Sequence, residues 1–154
     1  MSGHTRALQS QAKLNIIKAA EKMPAGDYSF RPTPDVRSYA ELIAHVADAN
    51  YLFCSASLGE KNADLKIEDG VKKDATKPKA ALVEALNASF AYCDKAYMAL
   101  TDQNAAEPVK FFGQDRARIG VLSFNTSHAF EHYGNIVTYL RLKKIVPPSS
   151  ERSN

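Results

Sequence analysis

His128 and His132 stand four positions apart inside Asn125–Arg141, a run that holds no proline and is long enough for several helical turns. In an α-helix that spacing stacks both imidazoles on one face, and two imidazoles pointing the same way can grip a metal ion. Leu122, Asn125, Ile136, Val137 and Leu140 fall on or near the same face, so the pair looks into the core, where a polar ring needs a partner. A single His-x-x-x-His also arises by chance, and its histidines then end as hydrogen-bonded core residues. A third histidine, His45, shifts the balance.

The elements that must position these residues are legible from periodicity and punctuation. Leu8, Ala12, Asn15, Ile16, Ala19, Ala20 and Met23 recur at helical spacing, and Pro24-Ala25-Gly26-Asp27 ends the pattern, so the first helix is expected over about residues 5 to 23. His4 precedes it, and near a terminus it reads as solvent-exposed rather than as a ligand. Pro32 and Pro34 make Tyr28 to Arg37 an extended connection. Ser38-Tyr-Ala-Glu41 is a capping box, with the Ser38 hydroxyl and the Glu41 carboxylate satisfying each other's backbone amides. From it Leu42, His45, Val46, Ala49, Leu52 and Phe53 trace one face to about Leu58, which puts His45 on the buried stripe.

Gly59 to Lys77 alternates lysine with acids and reads as an exposed crossover. Leu82, Leu86, Ser89, Phe90, Cys93, Tyr97 and Leu100 then predict a third helix over about 77 to 100. Thr101 to Arg118 is a second connection whose Val109-Lys-Phe-Phe112 run either lids a pocket or closes the core, and the fourth helix is expected over about 118 to 143. Pro147-Pro148 stop it, so residues 1–148 read as one domain and 149–154 as a loose tail. Four amphipathic helices with few β-rich runs argue for an all-α four-helix bundle, and bundles build metal sites from inward side chains on facing helices. That architecture can bring His45 beside His128 and His132.

The 154 residues suit one domain, and 45% hydrophobic with 24% charged residues is a globular balance. The net charge of +3 is scattered, with no basic stripe interleaved with aromatics, so nucleic-acid binding is not expected. No run approaches the roughly 18 apolar residues of a membrane span. Cys54 and Cys93 form no CxxC, and Met1–Gln11 lacks the apolar core of a secretory signal, so a reduced, cytoplasmic protein is expected. Both cysteines lie on apolar faces and read as packing residues rather than nucleophiles.

His45 within Ser38-Tyr-Ala-Glu-Leu-Ile-Ala-His45-Val-Ala-Asp-Ala-Asn50, the His-x-x-x-His of the last helix and the Pro-Pro exit after it together resemble the DinB-like (DNA-damage-inducible, YfiT-like) superfamily. The resemblance covers nearly the whole chain and is strongest around His45 and through the last helix. It implies an up-up-down-down bundle with a long crossover between helices 2 and 3, often a homodimer, with nickel or zinc on three histidines. Those three map onto His45, His128 and His132. Characterised members include transferases and isomerases that use a low-molecular-weight thiol, and many others are described as metal-dependent hydrolases. The family name does not imply DNA binding.

Three imidazoles leave positions open for water or substrate, as catalytic sites do. An ion so held acidifies water or a thiol and polarises an electrophile, which opens hydrolysis and thiol transfer on a small-molecule substrate. His128-Ala-Phe-Glu131-His132 also fits His-x-x-Glu-His, in which a glutamate is the general base. Glu131 is thus either a base or orienting group or a surface carboxylate; a protease would take its third ligand from further downstream, and that reading is rejected. Asp48 and Asn135, three residues after His45 and His132, can accept the histidines' other N–H or be ordinary polar flanks. Tyr133 and Tyr139 either border the pocket or, as is commoner, pack in the core with hydroxyls at the rim; neither reads as catalytic. The competing expectation is a non-catalytic metal-binding bundle that serves as a structural or interaction protein in a stress response.

Overall fold

The computed structural model describes residues 1–60 and 75–151. Within them the long helices are α1 (Ser2–Lys22), α2 (Tyr39–Leu58), α3 (Lys79–Ala99) and α4 (Arg118–Leu142), each within three residues of its expected bounds. α2 starts where the capping box dictates: the Glu41 amide donates to Ser38 Oγ at 3.2 Å and the Ser38 amide to Glu41 Oε2 at 2.6 Å. It ends on Gly59, whose φ of +74° is the left-handed conformation that glycine adopts without a Cβ clash. His4 is exposed in the first turn of α1.

The helices form a four-helix bundle in which α2 packs most heavily on α3 and then on α4, while α1 packs on α4 and α3. Ile16, Met23, Ile43, Leu82, Leu86, Phe90, Ile136 and Leu140 fill the main core. Cys54, Tyr97, Leu100 and Leu122 fill a second cluster at the other end. Each such side chain contributes about 1.5–3 kcal/mol by leaving water, which is what holds otherwise marginal helices in place. No described helix is long and apolar enough to cross a membrane.

The helix directions differ from the expected up-up-down-down order. The Tyr39 hydroxyl donates to the Ala19 carbonyl at 2.9 Å, so α2 begins where α1 ends and runs back against it. Asn50 pairs with Ser89 and Cys54 with Cys93, so α2 and α3 run in the same direction. Arg118 reaches the Ser57 carbonyl, Phe53 meets Phe124 and Tyr139 reaches Arg37, so α4 opposes α2. The order is up-down-down-up. The short connection after α1 is pinned to the end of α1 by the Tyr28 hydroxyl, which donates to the Ala20 carbonyl at 2.7 Å, and this keeps the start of α2 at that end. Because α2 and α3 run in the same direction, the end of α2 and the start of α3 lie at opposite ends of the bundle. The expected exposed crossover falls mostly on residues 61–74, outside the described residues.

Three further expectations are corrected. Thr101 to Arg118 contains a β-hairpin, β1 (Pro108–Phe111) paired with β2 (Gln114–Ala117), turning at Phe112-Gly113 with φ of +48° and +75°. Positive φ at both turn residues matches the twist of the two strands. Val109 points inward onto Ala49, Phe53 and Val121, whereas Phe112 is 73% exposed. Cys54 and Cys93 are bonded to each other rather than free, because parallel packing of α2 and α3 brings their Cα atoms to 5.2 Å. The start of the expected loose tail is tied down: Ser149 exchanges two hydrogen bonds with the Tyr133 hydroxyl, and Glu151 pairs with Lys22.

Candidate metal centre

His45 enters the site from α2, seven residues beyond the capping serine, so the cap that fixes where the helix starts also fixes the angular position of the ring. His128 and His132 enter from the facing side of α4, one turn apart. His45 Nε2 lies 3.2 Å from His128 Nε2, and His132 Nε2 lies 3.0 Å from the same atom. The rings meet mostly edge to face, with centroids 4.7 Å apart for His45 and His132 and 4.3 Å for His128 and His132. His132 is buried, and His45 and His128 are half-buried.

Three ring nitrogens at these separations cannot satisfy one another with protons. His128 Nε2 offers either one lone pair or one N–H, and neither serves two neighbours at once. A cation accepts all three lone pairs. Metal–nitrogen bonds of about 2.0–2.1 Å in tetrahedral or octahedral arrays place adjacent donors about 2.9–3.3 Å apart, and the observed separations fall in that interval. His45, His128 and His132 thus form a cluster that fits a divalent metal ion.

The local electrostatics hold the imidazoles in the neutral form that ligation needs. Burial pushes His45 down to about 4, with the positive charges of Arg37 and His128 adding to it. Burial likewise pushes His132 down to about 3, aided by His128, His45 and Arg37. His128 is lowered by burial and by Arg37, against the opposing pull of Glu131.

Asn135 places its carboxamide 3.4 Å from His132 Nδ1. With Nε2 turned to the cluster, Nδ1 carries the proton, and a half turn of the carboxamide presents an oxygen to accept it. Among the described residues His45 Nδ1 is buried without a hydrogen-bond partner, so Asp48 does not accept from it there. Glu131 is exposed and makes no hydrogen bond or ion pair among the described residues; its charge is felt by His128. The Tyr133 hydroxyl is taken up by Ser149, away from the cluster.

Of the surroundings, the sequence pointed to Asn135 and Tyr139 but not to Arg37 or Thr138. A cavity of about 650 Å3 opens beside His132, lined among others by Arg37, Asn135, Thr138 and Tyr139. On the opposite flank the Phe53 ring stands 5.3 Å from that of His128, and Phe53 in turn meets Phe111 of the hairpin at 5.5 Å. The signal for Arg37 was its place directly ahead of the capping box, which pins it to the start of the helix that carries His45. The apolar Val109–Phe112 run had two readings, pocket lid or core closure, and nothing local showed that it forms a hairpin whose Phe111 meets Phe53 beside His128.

The family model of the DinB superfamily matches residues 10–136, which include all three histidines. No curated protein matches in sequence. Among solved structures, a DinB-like protein from Bacillus subtilis is 18% identical, with a TM-score of 0.73 over 97% of this chain and 99% of that one. YfiT from Bacillus subtilis, described as a probable metal-dependent hydrolase with an unusual four-helix bundle topology, is 14% identical with a TM-score of 0.73, covering 94% of this chain and 88% of that one. A mycothiol-dependent maleylpyruvate isomerase is 15% identical with a TM-score of 0.75 over 88% of this chain. The chain spans only 60% of that isomerase's length. At these identities the likeness is one of fold.

Proposed function

Because the chain belongs to the DinB superfamily, we propose that it is a metal-dependent enzyme in which His45, His128 and His132 hold one nickel or zinc ion and a small-molecule substrate is attacked by water or a thiol. The observation that carries this reading is the convergence of three Nε2 atoms from two facing helices at 3.0 and 3.2 Å, beside a cavity large enough for a small organic molecule. The chemistry such an ion supplies when bound is Lewis-acid activation of water or a thiol and polarisation of an electrophile. Three histidines leave positions free for that purpose, where a fourth protein ligand would close the site.

The chain's own residues do the rest. With its carboxamide turned oxygen-first, Asn135 accepts from His132 Nδ1 and so keeps Nε2 bare and aimed at the cluster. Burial and Arg37 keep the imidazoles unprotonated near neutral pH. Phe53 walls the His128 side against water. Glu131, at the exposed rim with its charge acting on His128, is the candidate proton acceptor. The YfiT likeness favours water as the nucleophile and the mycothiol-dependent likeness a thiol.

Elemental analysis of protein purified without an affinity tag tests the metal, and a panel of esters, amides and electrophile-plus-thiol pairs tests the chemistry. About one ion per chain and turnover lost in His128→Ala are expected. Absence of metal removes the ligand reading. Equal turnover in wild type and variant returns the protein to a non-catalytic metal-binding bundle.

A further inference from the structure

Arg37 is exposed, and no ion pair among the described residues accounts for its position. It directly precedes the N-cap of α2, where the helix dipole disfavours a cation. The carboxylate nearest in sequence on that helix, Glu41, is taken by the Ser38 amide and by Arg31 at 3.1 Å. Arg37 forms no ion pair among the described residues, and Asp35, which shares its cavity, forms none with it. Its backbone is nonetheless held firmly, because the Arg37 carbonyl accepts from the Tyr139 hydroxyl at 2.6 Å.

The cavity that Arg37 lines is also lined by His132, Asn135, Thr33 and Thr138. Three neutral imidazoles bring no negative charge to offset a divalent ion, and Arg37 adds a further positive charge beside them. Asp35 lines the same cavity without pairing with Arg37, so the guanidinium stays open to an anion that also lies beside the imidazoles. A guanidinium pairs with a carboxylate through two parallel N–H···O bonds. A phosphate, with more charge and more acceptor oxygens, calls for additional donors, and the amides at the start of α2 are already taken: those of Ser38 and Glu41 by each other's side chains, those of Tyr39 and Ala40 by the Phe30 and Tyr28 carbonyls.

We infer that Arg37 is the substrate anchor of the three-histidine site, pairing with the carboxylate of a small organic acid whose remainder lies in the cavity against His132 and Asn135. This rests on the enzymatic reading above and narrows its substrate class to organic carboxylates. Arg37 sets specificity by charge and geometry, and takes no part in activating the nucleophile.

The test is binding of benzoate, with benzamide as the neutral analogue and phenyl phosphate as the alternative anion, to the metal-loaded protein and to the same protein stripped of metal. Titration calorimetry on wild type, Arg37→Gln and Arg37→Lys reads the affinities, and thermal melting confirms that each variant is folded. Benzoate is expected to bind the wild type about tenfold or more tightly than Arg37→Gln at equal metal content. Arg37→Lys should recover part of the loss, because charge returns without the fork, and benzamide should not distinguish the variants. Equal benzoate affinity in wild type and Arg37→Gln overturns the anchor, as does no measurable benzoate binding to the wild type. Tighter binding of phenyl phosphate with the same Arg37 dependence overturns the carboxylate class. Metal content of the same samples separates the two readings: a chain that binds no metal yet holds benzoate through Arg37 sinks the metal centre and leaves the anchor standing.

Discussion

The Tyr139 hydroxyl donates to the Arg37 carbonyl at 2.6 Å across 102 residues of sequence. Tyr139 lies two helical turns beyond His132, so the bond fastens the loop carrying Arg37 to the helix carrying two of the three histidines. The ring is itself held between Phe30, 6.0 Å away edge to face, and Tyr39 at 6.1 Å. Tyr139→Phe keeps those ring contacts and removes only the bond. It is expected to cost about 1 kcal/mol in urea denaturation, and to weaken benzoate binding while metal content stays the same. A variant as stable as the wild type would show that the loop is held by packing alone.

Replacing His132 by alanine removes one of three ligands and should leave the protein with under about a tenth of the wild-type metal after gel filtration, read by elemental analysis. Added chelator should lower the wild-type melting temperature by several degrees, because an ion present at about 100 times its dissociation constant contributes about 2.7 kcal/mol. The His132→Ala melt should not respond to chelator at all.

Asn135→Ala leaves all three imidazoles in place but takes away the group beside His132 Nδ1. Competition with a metal-responsive dye is expected to show affinity falling by about 10- to 100-fold. A change under twofold would mean that packing alone orients the ring.

Acid should destabilise the metal-free protein through the same histidines. His45 and His132 titrate at about 4 and about 3 in the folded chain against 6.5 unperturbed, so between those limits the unfolded chain binds more protons. Their contribution is fully present above pH 6.5 and is lost as the pH falls toward 4 and below. Urea midpoints measured in chelator at pH 7, 6 and 5 should therefore decline. Each tenfold difference in proton affinity between the folded and unfolded chain is worth about 1.4 kcal/mol at most, and less for rings that keep some solvent. A midpoint that holds steady across this window would contradict the burial of the pair.

Reduction of the Cys54–Cys93 bond opens a link between residues 39 apart. Losing a cross-link of that span should cost about 2–4 kcal/mol, visible as a lower melting temperature in reductant that Cys93→Ser reproduces without reductant. A mass two hydrogens lighter for the unreduced chain would confirm the bond directly. Identical melts with and without reductant would count against it.

Much of the scaffold was readable from neighbours along the chain. The bounds of the four helices came from apolar residues recurring at three and four and from prolines and glycines between them, and the start of α2 came from Ser38 and Glu41 alone. The face shared by His128 and His132 is likewise a property of one helical turn. These are features set by atoms within four residues of each other, where backbone geometry leaves few alternatives. The meeting of His45 with His128 across 83 residues was expected through a family resemblance, and only packing could realise it. The running direction of the helices depended on where Tyr28 and Tyr39 tie the first connection, and the cysteine pairing followed from that direction. The hairpin at Phe112-Gly113, and the place of Arg37 beside an uncompensated cluster of imidazoles, were decided there too. Contacts of that kind join segments whose separation in sequence carries no period, so only the folded chain brings them together.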